Sequence, residues 1–527
     1  MSVAPSDAPP QRDRSHLEDS RPIPWDRTCN APGWPAALDA LLALLESREA
    51  RSRQRRAVDR RKLREVLGAV VLALYATYRA EEDRWLAYSR RNDDYGPTFR
   101  RYLHPDVSTL TATTVADFLG AAGLADHRRG SFSRNGFGGG SGFRSRIRAR
   151  AKLAALLEDS GVSPASLGAA DWTELLRLKA PAERWGGPKR LIPYSDTDTT
   201  LALRTELQAY NAFLDQFRID IEPQAVAPSE LPVQANDDPA DMADQRSRRL
   251  YRVFNNERWD HGGRFYGGWW QRIPSAHRRR LLIDGEETVE LDFAALHPRF
   301  CYHLEGIPLA PGIDPYHVED ISGPNVRSAI KVAFNQLVNV DGPRRLKAPD
   351  GVRAMLPKGT SYAKLIRQIE MQHAPISSWL RKGRGVELQY LDSQIASTVL
   401  GFMRFRDICC LPVHDSFIVP RSAEATLGHA MLMAHWATLK KQTGIGSWPI
   451  ISGWTSDAVR ERAQAEVGEP LALLKARIGG MNSISTTTAP SGAPLAITGN
   501  GKNGQGAAIV QPTASCSFSS AEPRRVS

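Results

Sequence analysis

Apolar positions change their period along the chain, and the changes mark its organisation. Leu38, Leu41, Leu42, Leu44 and Leu45 recur at helical spacing, and residues 35–90 read as helical. Residues 199–217 form a second amphipathic helix, preceded by a strand-turn in RLIPYSD. From about residue 244 the pattern shortens into strands, tight turns and helices. Leu281–Ile283 is an apolar strand, Asp284-Gly285 a hairpin turn, and residues 288–291 the return strand. Residues 408–413 and 417–419 form another β-rich pair, with His414-Asp415-Ser416 between them. Ser322 and Pro324 start a helix that Asp341-Gly342-Pro343 stops, and Ile330, Phe334, Leu337 and Val338 are its apolar face.

Composition divides the chain further. Residues 1–33 are Pro-rich and charged and are expected to be disordered. Residues 34–221 read as a mainly helical basic region, 222–243 as a Pro-rich polar linker, and 244–466 as a second domain. Residues 481–527 are rich in Ser, Thr, Gly and Ala and are expected to be a disordered low-complexity tail. The expected fold class is α+β.

Hydrophobic residues make up 42% of the 527 and charged residues 24%, which excludes full disorder and a small disulfide-stapled module. No uncharged apolar run approaches the ~20 residues of a membrane span, and no apolar signal region opens the chain. Five unpatterned cysteines, Cys409 and Cys410 adjacent, fit a reducing cytoplasm rather than a zinc or disulfide framework. The net charge of +11 favours a polyanionic partner. Basic residues concentrate in two runs. Residues 51–64 hold eight Arg or Lys and one acid, and read either as a solvated helix face or as a phosphate-tracking surface. Residues 128–152 hold eight and no acid. There a glycine-rich half precedes an expected basic helix, FRSRIRARAKLAALLEDSG, and the segment reads as a linker or a nucleic-acid contact.

Candidate chemistry lies in the second domain. Asp292 ends a strand and Asp415 occupies a hairpin tip. Either alone suits a cap or turn; together they could hold Mg²⁺, a hard cation bound by few carboxylates with room for phosphate oxygens. Arg327, Lys331, Asn335 and Asn339 recur every four residues as one polar helix stripe, either solvated or gripping a triphosphate. Upstream, Phe265, Tyr266, Trp269 and Trp270 are interleaved with Arg264, Gln271 and Arg272, which suits base stacking or an aromatic core anchor.

In this order the motifs resemble the palm and fingers of family A DNA polymerases over about residues 250–440. Gly263-Arg264, Gln271 and Ile273-Pro274 are similar to the segment that contacts the primer-template. Asp292 resembles the motif A carboxylate, Arg327 and Lys331 the fingers residues that bind the incoming triphosphate, and His414-Asp415 motif C. The resemblance implies a polymerase-like palm with helical fingers and a thumb-like, nucleic-acid-binding region within 34–221. It further implies two Mg²⁺ ions on Asp292 and Asp415. Nucleoside triphosphate would be bound by Arg327, Lys331, Asn335 and His297, and a DNA or RNA primer-template by Arg264, Gln271, His414 and Asn339. The sequence differs from that family at His297, where a Glu is usual, and at Asn335 and Asn339, where aromatics are usual. HDSF at motif C resembles single-subunit phage-type RNA polymerases. Three expectations follow: a DNA polymerase; an RNA polymerase or primase on the same palm; and a non-catalytic, nucleic-acid-binding replication protein of a mobile element.

Overall fold

The computed structural model describes residues 20–465, apart from residue 52 and segments 97–99, 135–139, 171–172, 183–186, 188 and 223–247. Residues 1–19, nearly all of the expected linker and the expected low-complexity tail lie outside the described residues. The described chain is mixed α and β, in keeping with the α+β expectation. No helix among these residues is long and apolar enough to cross a membrane.

The first core gathers around helices Trp34–Arg48 and Ala57–Ala80. Arg21–Pro22 (β1) and Arg27–Cys29 (β2) are strands, so the part of the 1–33 segment described here is structured rather than disordered. Leu86–Tyr88 (β3) and Ala125–Arg128 (β4) follow, then a hairpin of Ser131–Arg134 (β5) and Gly140–Phe143 (β6), then Ser145–Ala149 (β7) and Leu167–Ala169 (β8). A four-stranded sheet in the order β1-β3-β7-β4 packs on the helices, so this region is less purely helical than expected. The expected basic helix begins instead as β7. Its SRIRA alternation buries Ile147 completely, and the helix starts only at Ala151–Asp159.

The basic runs are balanced by acids distant in sequence, which a count within each run cannot see. Arg60 pairs with Glu46 (2.8 Å), Arg61 with Asp106 (3.1 Å) and Arg64 with Asp39 (2.6 Å). In the second run Arg148 and Arg150 share Asp126 (2.8 and 2.7 Å). This favours the solvated-face reading of the first run.

The second core begins well before the expected boundary at residue 222. Leu176–Leu178 (β9), helix Asp198–Leu214 and Ile219–Ile221 (β10) all pack into it. Residues 223–247 therefore interrupt this core rather than precede it. Tyr251–Phe254 (β11) and Gly262–Tyr266 (β12) join β9 in a three-stranded sheet, order β12-β11-β9. Leu281–Ile283 (β13), Glu286–Phe293 (β14), Leu411–Val413 (β15), Ser416–Pro420 (β16) and Ile451–Ser452 (β17) complete the main sheet with β10. Its order is β10-β13-β14-β16-β15, with β17 also on β14. Asp284 and Gly285 take φ of 51° and 84°, the left-handed values that a two-residue hairpin needs. Helices Leu296–Leu304, Val326–Asn339, Gly385–Phe405 and Glu424–Thr443 pack into the same core.

Gly263 lets helix Gly385–Phe405 lie directly on β12. Its φ is +79°, and a Cβ there would stand 2.9 Å from both the Phe254 ring and Ser393 Oγ. Gly263→Ala is expected to destabilise the protein by about 1–3 kcal/mol, combining left-handed strain with overpacking. A shift of the urea midpoint checks this, with Gly285→Ala, strained but unobstructed, losing less.

Candidate active site

The site grows from one alternating strand. Val289, Leu291 and Phe293 of β14 are buried, which turns Glu290 and Asp292 to the opposite face. Arg278 grips Glu290 in two 2.9 Å bonds, and Ser416 Oγ donates to Glu290 at 2.6 Å. Asp292 stands opposite Ser416 of β16. On the other edge it stands opposite Ser452, whose hydroxyl donates to the Asp292 carbonyl at 3.2 Å.

Asp415 arrives through the β15–β16 hairpin. His414 takes φ of +59°, the left-handed step that a two-residue connection needs at its first position. The Asp415 carbonyl accepts from the Phe293 amide at 3.4 Å, so the two acids sit at the same end of neighbouring strands. Burial, and then the charge of Asp415, push the Asp292 carboxyl up to about 7; Lys331 partly opposes them. Asp292 and Asp415 thus form an electrostatically coupled pair, with Lys331 of the Val326–Asn339 helix within reach.

The polar stripe of that helix is exposed along its length, as its spacing implies. Arg327 pairs with Asp314 at 2.7 Å and lies 5.3 Å from the Tyr316 ring. Burial and then the charge of Asp415 push the Tyr316 hydroxyl upward in pKa. Asn335 and Asn339 bond to one another, Asn339 Nδ2 donating to the Asn335 carbonyl at 2.7 Å.

Sequence reasoning missed Asp392. It lies in helix Gly385–Phe405, fully buried, and accepts from Arg264 Nε at 2.9 Å and from His297 Nε2 at 2.9 Å. Arg264 also lies 3.2 Å from the same ring nitrogen. Burial alone would raise the Asp392 carboxyl; the Arg264 charge and the hydrogen bonds of His297 and Arg264 outweigh it and hold the group ionised. An acid on the same helix face as Leu388, Ile395 and Val399 was the available signal. Three elements are fixed by this cluster: β12, the helix after Asp292, and the helix before the Asp415 hairpin.

Other expected contacts are committed to structure. Gln271 Nε2 donates to the carbonyls of Phe265 and Pro412, both at 3.0 Å, so its amide braces β12 against β15. Trp269 and Trp270 are buried at 2% and 0% exposure and Phe265 at 6%, which makes them core anchors rather than base-stacking surfaces. Only Tyr266 of that group remains partly exposed, 5.5 Å from the His414 ring. His414 is half-buried, and desolvation lowers its pKa; its Nδ1 has no hydrogen-bond partner.

Among the described residues no group of three or more His, Cys, Asp or Glu is arranged around a metal position. The residues that could hold a cation are Asp292 and Asp415, whose backbones meet at the ends of neighbouring strands. Their chemistry fits a hard divalent ion: two carboxylate side chains, one of them penalised by burial and by its neighbour's charge. Comparison with protein-family models, curated proteins and solved structures returns no match.

The raised Asp292 carboxyl has a stability consequence. Its folded value, about 7, exceeds the ordinary 3.8, so folding is favoured at low pH and that contribution is lost as pH rises through 7. Asp292→Asn removes the penalty. In chelator, the variant is expected to melt about 5 °C above wild type at pH 8 and level with it at pH 4. Thermal melts at both pH values check this.

Proposed function

We propose that the chain is a template-dependent nucleotidyltransferase, a DNA polymerase of the family A type acting with two Mg²⁺ ions. One observation carries the reading: Asp292 and Asp415, remote in sequence, come together at one end of β14 and β16, and the charge of Lys331 acts on Asp292. Mg²⁺ held by the two carboxylates would lower the pKa of a primer 3′-hydroxyl and neutralise the departing pyrophosphate. Lys331, exposed and near the carboxylates, is suited to the β- and γ-phosphates, where negative charge grows in the transition state. Arg327 of the same stripe supplies a second cation one turn earlier, balanced meanwhile by Asp314.

His297 follows Asp292 by five residues and is held by its Nε2 donating to Asp392. A ring held this way resists displacement, so at the sugar edge of a bound nucleotide it would exclude a 2′-hydroxyl by bulk. This favours deoxynucleotides over ribonucleotides.

Primer extension with separate dNTP and rNTP pools tests the reading. Incorporation from dNTPs supports it, and incorporation from rNTPs alone selects the RNA polymerase or primase. No incorporation from either pool, with strand binding intact, selects a non-catalytic replication protein. Asp292→Asn and Asp415→Asn are each expected to reduce incorporation to background while retaining nucleic-acid affinity. Lys331→Ala should lose about 10²-fold in kcat/KM, through both a raised KM and a lowered kcat. His297→Gly should admit rNTPs with little loss of dNTP use; selectivity unchanged from wild type would exclude it as a gate.

A further inference from the structure

The three-stranded sheet has two faces of opposite character. Leu176 and Leu178 of β9, Arg252 and Phe254 of β11, and Phe265 of β12 are buried on one. On the other lie Arg177 and Lys179, then Tyr251 and Val253, then Arg264 and Tyr266. Register places Arg177 beside Val253 and Val253 beside Arg264, and pairs Tyr251 with Tyr266. This face floors a cleft of 630 Å³, walled by Lys189, Asn255 and the neutral residues Asn339, Val386 and Gln389. No described residue lining it is acidic.

We propose that this cleft is a binding groove for a single nucleic-acid strand, which Arg177, Lys179 and Lys189 hold by its phosphates and Tyr266 by a base. The charge here differs from that of the N-terminal runs, where Arg60, Arg61, Arg64, Arg148 and Arg150 lie against carboxylates. Burial, and then the neighbouring cation, lower the pKa of Lys179 (beside Arg177) and of Lys189 (beside Lys179), with no acid relieving either. Lys189 instead donates to the neutral Asn255 and Asn256 oxygens at 3.2 and 3.3 Å. Cations gathered in a recess without acids are stabilised by an anion that enters it.

A strand fits better than a free nucleotide for two reasons. The cations are spread over the sheet and its wall, from Lys189 and Lys179 to Arg177, whereas a triphosphate presents one compact charge. Arg177 lies over the Tyr251 ring at 3.5 Å and Tyr266 stacks on that ring at 6.0 Å and 24°, so Tyr266, at the end of this stack, offers partly apolar surface to a base. The groove also leads somewhere: Tyr266 lies against His414, the residue before Asp415. A strand in it would run towards the carboxylate pair.

This inference draws its biological sense from the proposed nucleotidyltransferase, but its test needs neither Mg²⁺ nor nucleotide turnover. Anisotropy of a labelled 12-mer oligonucleotide, with the full chain in chelator, is measured across a salt series. Lys179→Gln/Lys189→Gln should bind at least about 10-fold more weakly, with the log–log salt slope shallower by about 1.4, the value for two lost phosphate contacts to a single strand. Lys358→Gln/Lys441→Gln, an equal charge change at exposed sites elsewhere, should bind as wild type does. Equal affinity and slope in the cleft variant and wild type would overturn the proposal. So would loss of dNTP or rNTP binding alone, which would make the cleft a mononucleotide site. Because the cleft variant could misfold, wild type is also photo-crosslinked to a 4-thiothymidine oligonucleotide. Adducts at Tyr251 or Tyr266 support the groove, and adducts confined to other regions refute it.

Discussion

The Arg264–Asp392 ion pair is the constraint on which the candidate site depends. Asp392 is enclosed in a helix, Arg264 rises from a strand, and each would be costly to bury without the other. Their contact fixes helix Gly385–Phe405 against β12, and His297 completes it from the helix that follows Asp292. The pair adds to the buried hydrogen bond of Arg252 with Ser393 Oγ (3.1 Å), which joins the same helix to the neighbouring strand. The buried charge is positive close to the carboxylate pair, since Asp415 also acts on Arg264. The arrangement alternates sign: Asp392, Arg264, then the Asp292–Asp415 pair, then Lys331.

The hairpins were the most legible part of the fold. Asp284-Gly285 marked its turn because few other residues accept left-handed φ, and the carboxylates were visible because each ended an apolar run. Helix Val326–Asn339 was equally plain from its stop and start signals. The basic N-terminal runs were harder to read. Their neutralising partners, such as Asp126 for Arg148 and Asp106 for Arg61, lie in other elements, and ion pairing across elements leaves no local pattern. The strand within SRIRA was hidden because long basic side chains suit helices and strands alike, and only its period of two distinguished them. Trp269 and Trp270 were ambiguous because aromatic residues beside arginines serve cores and ligand surfaces equally.

The boundary of the second core was obscured for a topological reason. A Pro-rich polar segment ordinarily separates domains, but β9 and β10 precede it in sequence and pair with β11 and β13 that follow it. Pairings across such an insertion carry no signature in either strand. The first core is joined to this one by polar contacts: Arg101 reaches Glu174 and Asp196 at 3.0 and 3.2 Å, and Tyr102 donates to the Ile192 carbonyl at 2.8 Å.

The strand that carries Asp292 has partners of very different age in the growing polypeptide. β13 precedes it immediately and covers only its first residues, while β16 and β17, which flank Asp292 itself, are made more than a hundred residues later. During synthesis the Asp292 end of β14 therefore has two open edges until residue 416 emerges, and one until residue 452 does. Its alternating apolar residues Val289, Leu291 and Phe293 are exposed throughout that interval, a template for mispairing with other nascent chains. Glu286, Glu287, Glu290 and Asp292 punctuate the same strand with four negative charges, so two such strands laid side by side would repel. The acidity that shapes the finished site also protects the unfinished one from aggregation.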